Sequence, residues 1–111
     1  MEIKYPFGPA DTKTLSVTGA QALTITDQLT IVDGVTNIAT GNRTINLTLD
    51  SELKAGAMLI VQNKTDATET LTFGTGITSA VQTGVAGKTH NQSFIYNGTA
   101  FVAMGADQQI D

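Results

Sequence analysis

The sequence contains no cysteine and no tryptophan, and its 111 residues include one histidine, His90, and one arginine, Arg43. Without cysteine, the chain has no disulfide framework, no thiol nucleophile and no thiolate metal site. Six basic and ten acidic side chains give a net charge of -4, which is the wrong sign for binding nucleic acid through its phosphates. We therefore expect no catalytic residues, no metal site, no cofactor and no nucleic-acid partner.

Long apolar runs and an export signal are also missing from the sequence. The longest apolar run, residues 57 to 61, is far shorter than the roughly 18 residues that a membrane span requires. Residues 1 to 6 contain neither an apolar signal core nor a small-residue cleavage site. We expect a protein that is not exported and has no membrane partner.

Threonine is abundant, with 19 residues, and the chain also has 11 glycines. β-Branched side chains favour strands, and a hydrophobic share of 41% is too high for a disordered chain. Apolar and polar residues alternate at residues 15–17, 23–25, 29–31, 45–49 and 70–73, with turn residues between most of these runs. This pattern predicts an all-β protein, which we interpret as a single compact antiparallel β-sandwich or jelly-roll-like domain with an extended N-terminal arm.

Two segments depart from the alternating pattern. The run Ala57 to Val61 is continuously apolar, which predicts a central strand covered on both faces. Asp50 to Leu53 contains a candidate capping residue, Ser51, and Gly56 follows, so we expect a single helical turn here. This is the one helix signal that the sequence offers.

A short internal repeat suggests an alternative architecture. Leu23 to Asp27 and Leu29 to Asp33 resemble each other at a spacing of six residues, and hexad repeats are typical of β-helices and intertwined fibres. Two copies do not make an array, and Val35 to Ile38 breaks the pattern. We therefore favour two similar strands of a sandwich over a β-helix.

The Asn97-Gly98 pair predicts a hairpin turn between two apolar runs. A two-residue type I′ turn needs positive φ at both central positions, and Asn-Gly satisfies that requirement. The resulting register places Tyr96 opposite Thr99 and Phe94 opposite Phe101, with the aromatic rings on one face.

The chain divides into an arm, residues 1 to 12, a β domain, residues 13 to 106, and a short tail, residues 107 to 111. The arm contains both prolines of the chain, and these predict extended backbone. Its aromatic side chains either fold back on their own domain or dock on a neighbouring subunit. The candidate subunit or capsid contacts are Tyr5, Pro6, Phe7 and Pro9.

Apparent active-site motifs have simpler explanations. Gly87-Lys88-Thr89 resembles the end of a phosphate-binding loop, but Gln82 occupies the position that needs the first glycine. His90 has no ligand-like neighbours in sequence, so we expect it at a solvent-exposed strand position. Acidic residues near strand ends, such as Asp33 and Asp50, are expected to cap turns.

The order of segments in residues 44 to 104 resembles a known style of protein. Its elements are the strand Ile45 to Leu49, the run Ala57 to Asn63, Leu71 to Ile77, Gly84 to Thr89 and the Tyr96-Asn97-Gly98-Thr99 hairpin. Together these resemble small all-β virion proteins of tailed bacteriophages, notably capsid decoration proteins and β modules of head or tail fibres.

The resemblance implies a non-enzymatic structural role in the virion, after synthesis in the cytoplasm of the bacterial host. Its partners would be copies of itself, in a symmetric oligomer, and the major capsid protein or another virion protein. The low charge and broad Thr-rich surface also favour self-association, for which we expect a trimer. The alternative is a carbohydrate-binding or receptor-adhesion module of a phage fibre, for which Tyr96, near the hairpin tip, is the candidate glycan contact.

Overall fold

The computed structural model describes residues 10 to 111, in which all regular secondary structure is β-strand, so the all-β prediction is confirmed. In this range no helix has the length and apolarity to span a membrane. The strands are β1 (Asp11–Thr14), β2 (Gly19–Ile25), β3 (Leu29–Ala39), β4 (Arg43–Leu49), β5 (Met58–Thr65), β6 (Thr70–Phe73), β7 (Ile77–Thr78), β8 (Gln82–Thr83), β9 (Thr89–Tyr96), β10 (Phe101–Ala103) and β11 (Gln108–Gln109).

The strands form two sheets. Sheet A has the order β1-β3-β5-β9-β10-β7, with β11 also paired to β9, and sheet B has the order β2-β4-β6-β8. From β1 to β6 the chain alternates between the two sheets, and every pairing among these six strands is parallel. The predicted antiparallel arrangement is therefore wrong for residues 11 to 73. A chain that changes sheet at each turn returns to the first sheet running in its original direction.

This path is that of a short β-helix, the alternative suggested by the hexad repeat. The two hexads lie in consecutive strands, β2 and β3, which belong to different sheets. The length of one full turn is not constant, because Thr12 pairs with Ile31 whereas Ile31 pairs with Ile60. The coil consequently leaves no constant period in the sequence.

After β6 the sheets become mixed. β9 runs antiparallel to β5, β10 and β11, and β8 runs antiparallel to β6, whereas β10 pairs in parallel with β7. Residues 107 to 111, which we expected to be a tail, contain β11. In addition, the carboxylate of Asp111 accepts a hydrogen bond from the amide of Thr89, with an N to Oδ1 distance of 2.7 Å.

The hydrophobic core lies between the two sheets. Ile45 and Leu71 contribute from sheet B, and Leu59 and Val61 contribute from sheet A, all with no exposed surface. Phe73 of β6 packs against Phe94 of β9, with ring centroids 5.0 Å apart, so the sheets meet through an aromatic pair.

Two local predictions are corrected by the structure. Residues 50 to 57 form two consecutive turns rather than a helical turn, and the capping residue is Asp50, whose Oδ1 accepts from the amide of Glu52 at 2.9 Å. β5 is central in sheet A, but only alternate residues are buried, so it is covered on one face and not on both. The outward residues of β5 are half-buried.

The register predicted for the β9–β10 hairpin was also wrong. Tyr96 pairs with Phe101, so the connection spans residues 97 to 100. Gly98 has φ +97°, but no non-glycine residue in the range 10 to 111 has positive φ, which excludes a type I′ turn at Asn97-Gly98. Asn97 instead accepts from the amides of Thr99 and Ala100 through its Oδ1. The observed pairing differs from the predicted pairing by two residues. Because side chains alternate with period two, the aromatic rings still lie on one face of the sheet, as predicted.

Candidate functional site

The outward side of sheet A carries six aliphatic side chains in register, which we call the apolar face. Its members are Leu29 and Ile31 of β3, Met58 and Ile60 of β5, Ile95 of β9 and Val102 of β10. Leu29 pairs with Met58, Met58 with Ile95, and Ile95 with Val102, so one row crosses four adjacent strands. Ile31 and Ile60 form part of the next row. Ile95 is 37% exposed and the other five are half-buried.

The apolar face arises because β3 directs its apolar residues outward at Leu29 and Ile31, and because β5 does not alternate apolar with polar residues. In β3, Thr30 and Val32 enter the core and leave Leu29 and Ile31 outside. In β5, the run Met58 to Val61 is apolar on both faces. Strands with apolar residues on both faces are typical of sheets covered on both sides. No other strand of residues 10 to 111 covers this outer face.

A polar row borders the apolar face. Asp33, Gln62 and Asn91 pair across β3, β5 and β9 in the row beyond Ile31 and Ile60. An apolar centre with a polar margin is the usual composition of a protein–protein interface. The border is therefore consistent with a contact surface that ends at this row.

Asp33 organises the turn at this border. Its Oδ1 accepts from the amides of Val35 and Thr36 at 2.9 and 3.0 Å, and its Oδ2 accepts from the Thr36 hydroxyl at 2.5 Å. The hydrogen bonds from Thr36 and Val35 lower the pKa of Asp33 below its usual value, because they favour the ionised carboxylate. Asp33 is thus a turn-capping residue, as the sequence predicted for the acids near strand ends.

The outer face of sheet B has a different chemistry. Side chains without a formal charge lie in register across β2, β4, β6 and β8, and all but one of them are alanine or threonine. We call this surface the threonine face: Ala20, Ala22, Thr24, Thr44, Asn46, Thr48, Thr70, Thr72 and Thr83. Hydroxyl groups on this surface can hydrogen-bond to water. The two outer faces therefore differ sharply in the free energy gained by covering them, and the apolar face gains more.

The terminal nitrogens of Arg43 are bonded inside the fold, whereas its buried Nε has no hydrogen-bond partner among residues 10 to 111. It is 1% exposed, and its two terminal nitrogens donate to the main-chain oxygens of Ser16, Gly34, Asn37 and Lys64 and to Oδ1 of Asn63. Burial lowers the pKa of the Arg43 guanidinium, because desolvation penalises the charged form. Sequence reasoning assigned Arg43 no role, and the structure shows that it joins β4 to the ends of β3 and β5.

An open cleft of about 330 Å³ lies between β9 and the segment that follows β10. The amide of Gln92 is among its lining groups, but Nε2 donates to Ser79 Oγ and Gly105 O, and Oε1 accepts from Gln82. Because these bonds hold the segment against β9, Gln92 is a structural residue rather than a free ligand-binding group.

His90 is 6% exposed, so the prediction of a solvent-exposed position was wrong. The side chain points inward from β9, and its Nε2 lies 4.0 Å from Oδ2 of Asp107. Within residues 10 to 111 no three His, Cys, Asp or Glu residues are grouped closely enough to hold a metal ion.

The remaining candidate site residues have these positions. Tyr5, Pro6, Phe7 and Pro9 lie outside the described residues. Asn97 and Gly98 lie in the connection between β9 and β10. Tyr96 is only 8% exposed; its ring packs against Phe101 with centroids 5.3 Å apart, and its hydroxyl donates to Gly98 O. The exposed aromatic platform that suggested a glycan contact is therefore not formed by Tyr96.

No protein-family description, curated protein or solved structure matches this chain. The chemistry of the two outer faces is the main guide to its function.

Proposed function

We propose that the protein is a non-enzymatic structural component of a phage virion, a capsid decoration or fibre protein, and that it acts as a homo-oligomer. The observation that carries the proposal is the apolar face, six aliphatic side chains aligned over four adjacent strands. Such a surface is costly to leave in water and is a recognised sign of a protein contact site.

The composition of the face favours association over small-molecule binding. Each Å² of apolar surface removed from water contributes about 25 cal/mol, so covering several aliphatic side chains at once contributes several kcal/mol. The face follows a sheet surface and is not a deep pocket, so a second protein surface is the fitting partner. A copy of the same chain is always available at equal concentration, and most soluble oligomers are built from identical subunits with closed symmetry. A trimer is the assembly that we expect from the sequence.

The buried polar groups support a structural role. The terminal nitrogens of Arg43 and the amide of Gln92 are engaged by neighbouring groups of the fold. These residues connect strands and loops to one another, and they present no nucleophile or general base to solvent.

The assignment to a virion rests on the resemblance of residues 44 to 104 to small all-β virion proteins. A core that lies between sheets A and B agrees with the two-sheet part of that interpretation, whereas the parallel, coiled path of β1 to β6 differs from an antiparallel sandwich. Contact with the major capsid protein or another virion protein is part of the same proposal.

Quantitative mass spectrometry of purified virions tests the assignment. We expect the protein in a fixed copy number relative to the major capsid protein, in a ratio consistent with oligomers on symmetric positions. Its absence from virions that are otherwise complete would contradict the virion role. If the recombinant chain assembles in solution but is absent from virions, the self-association part of the proposal stands and the virion part is contradicted.

A further inference from the structure

We propose that residues 3 to 7 of one copy bind as an extended segment on the apolar face of a neighbouring copy. The inference rests on the proposed function, because it requires a homo-oligomer. It identifies the segment that covers the apolar face and the contact that joins one copy to the next.

The position and length of the N-terminal segment allow this contact. Asp11 pairs with Thr30, so the described chain begins beside β1 at an edge of sheet A, level with Leu29 of the apolar face. Nine residues precede Ala10, and fully extended they reach about 30 Å. Residues 3 to 7 take up roughly 14 Å of this length when they lie along the strands, which leaves residues 8 to 10 to connect them to β1. The segment is therefore long enough to lie along the apolar face of an adjacent copy.

The sequence of the segment matches the spacing of the face. Ile3, Tyr5 and Phe7 alternate with Glu2, Lys4 and Pro6. In extended backbone, alternate residues lie about 6.8 Å apart on one side. Leu29 and Ile31 have this spacing along β3, and Met58 and Ile60 have it along the adjacent strand β5. The apolar side chains of the segment can therefore lie between these two columns of aliphatic side chains.

The prolines favour packing on the face over extension of the sheet edge. Pro6 and Pro9 have no amide hydrogen, so the segment offers a poor hydrogen-bonding partner for an exposed edge strand such as β1. Side-chain packing on a face does not need those donors. Tyr5 and Phe7 are therefore the anchors of the contact, and the backbone serves to space them.

The same prolines favour a neighbouring copy over the segment's own domain. Binding to its own sheet requires the chain to reverse immediately before β1, at residues 8 and 9. A residue that precedes proline is restricted to extended backbone, which disfavours this reversal at Gly8 and bending at Tyr5. An extended segment also loses less conformational entropy when it docks on another molecule.

Complementation between two full-length variants tests the proposal. Tyr5→Ser/Phe7→Ser removes the anchors and leaves the face intact, and Ile31→Thr/Ile60→Thr changes the face and leaves the anchors intact. Val81→Thr/Val85→Thr is the matched control, because both valines are exposed, at 52% and 46%, and neither belongs to the apolar face. Sedimentation velocity would be measured for each chain alone and for the two variants mixed.

We expect each of the first two variants to associate about 30-fold or more weakly than the parent, the effect of losing interface anchors. The control is expected to associate like the parent. The mixture of the two variants is expected to form a one-to-one heterodimer, since the anchors of the face variant can bind the intact face of the arm variant. It is not expected to form a trimer, because such a pair has no second intact contact.

Each negative result in this experiment contradicts a different part of the proposal. A monomeric parent chain at every concentration would contradict the homo-oligomer and the docking contact together. An arm variant that assembles like the parent, while the face variant does not, would overturn the arm contact alone and indicate packing of face on face. If both variants melt at lower temperature and their mixture does not complement, the segment binds its own domain and the proposal fails.

A second readout remains informative if the face variant does not fold. The chain has no cysteine, so Lys4→Cys can carry a photo-crosslinker at one defined position beside Tyr5. Equal amounts of isotopically heavy and light chains would be mixed, irradiated and digested. Crosslinks between heavy and light chains at residues 58 to 60 are expected, whereas crosslinks confined to one isotope, or to peptides outside the face, would overturn the proposal.

Discussion

Arg43 in β4 of sheet B donates a hydrogen bond from Nη2 to Oδ1 of Asn63 in β5 of sheet A, at 2.5 Å. Both side chains are 1% exposed, so this bond crosses the core from one sheet to the other. Among residues 10 to 111 no carboxylate forms an ion pair with Arg43. The charged guanidinium is therefore stabilised inside the protein by amide and main-chain oxygens.

Replacing Arg43 is expected to destabilise the fold strongly. Arg43→Met keeps much of the apolar length but leaves the oxygens of Gly34, Asn37 and Asn63 without their donor. We expect the free energy of unfolding to fall by about 3 kcal/mol or more, since several buried acceptors lose their partners. Urea denaturation measures this change.

Lys13→Met is the control, because Lys13 forms a partly exposed ion pair with Asp11, and such pairs contribute at most about 1 kcal/mol. A loss of under about 1 kcal/mol for Arg43→Met would show that the guanidinium is dispensable.

Gly98→Val tests the backbone of the β9–β10 connection. Gly98 has φ +97°, and no atom lies within 4 Å of an added Cβ, so only backbone strain opposes the substitution. We expect a loss of about 1 to 3 kcal/mol in thermal denaturation. Gly105→Val is the matched control, since its Cβ also meets nothing within 4 Å but its φ is not in the left-handed region. Equal melting temperatures for the two variants would contradict the strain.

Asp33→Asn tests the capped turn beside the apolar face. The folded pKa of Asp33 lies below the ordinary value of 3.8, so its ionised form stabilises the fold above that pH. This contribution is lost as the pH falls through the folded pKa, because protonation then removes the negative charge. We expect Asp33→Asn to melt below the parent at pH 7, with a smaller difference at pH 3. Asp66→Asn, at an exposed loop position, is the control. A pH-independent difference between Asp33→Asn and the parent would contradict the role of the charge.

The Gln82–Gln92 pair is suited to a double-mutant cycle. Nε2 of Gln82 donates to Oε1 of Gln92 at 2.9 Å, and both side chains are buried. Each single change to leucine is expected to cost about 1 to 3 kcal/mol, because it leaves a buried polar group unpaired. The double variant is expected to lose at least about 0.5 kcal/mol less than the sum of the single losses. Strict additivity in chemical denaturation would mean that the two amides are not coupled.

Local features of the fold could be predicted from the sequence. The alternation at Leu23 and Ile25 and at Ile45 and Leu47 predicted strands where β2 and β4 lie. Strand direction could not be predicted in this way, because parallel and antiparallel neighbours have the same side-chain alternation. The hexad repeat did indicate the β-helical path. Because the turns of the coil differ in length, however, the repeat does not continue beyond two copies in the sequence.

The candidate surface was only partly visible in the sequence. The continuous apolar run from Ala57 to Val61 predicts a strand covered on both faces, and its second apolar side, Met58 and Ile60, is the centre of the apolar face. The burial of Arg43 and His90 could not be predicted, since it depends on strands that are distant in sequence. Asn97-Gly98 predicted a turn, but the register depended on pairing between Tyr96 and Phe101.

The central claim is that the apolar face drives self-association. Sedimentation velocity over a range of micromolar concentrations tests it most directly, with the parent chain compared with Ile31→Thr/Ile60→Thr under identical conditions. We predict that the parent forms a species heavier than the 11.6 kDa monomer, with about three times that mass for a trimer, whereas the variant remains folded and monomeric. A parent chain that sediments as a monomer throughout, or a folded variant that assembles as the parent does, would contradict the claim.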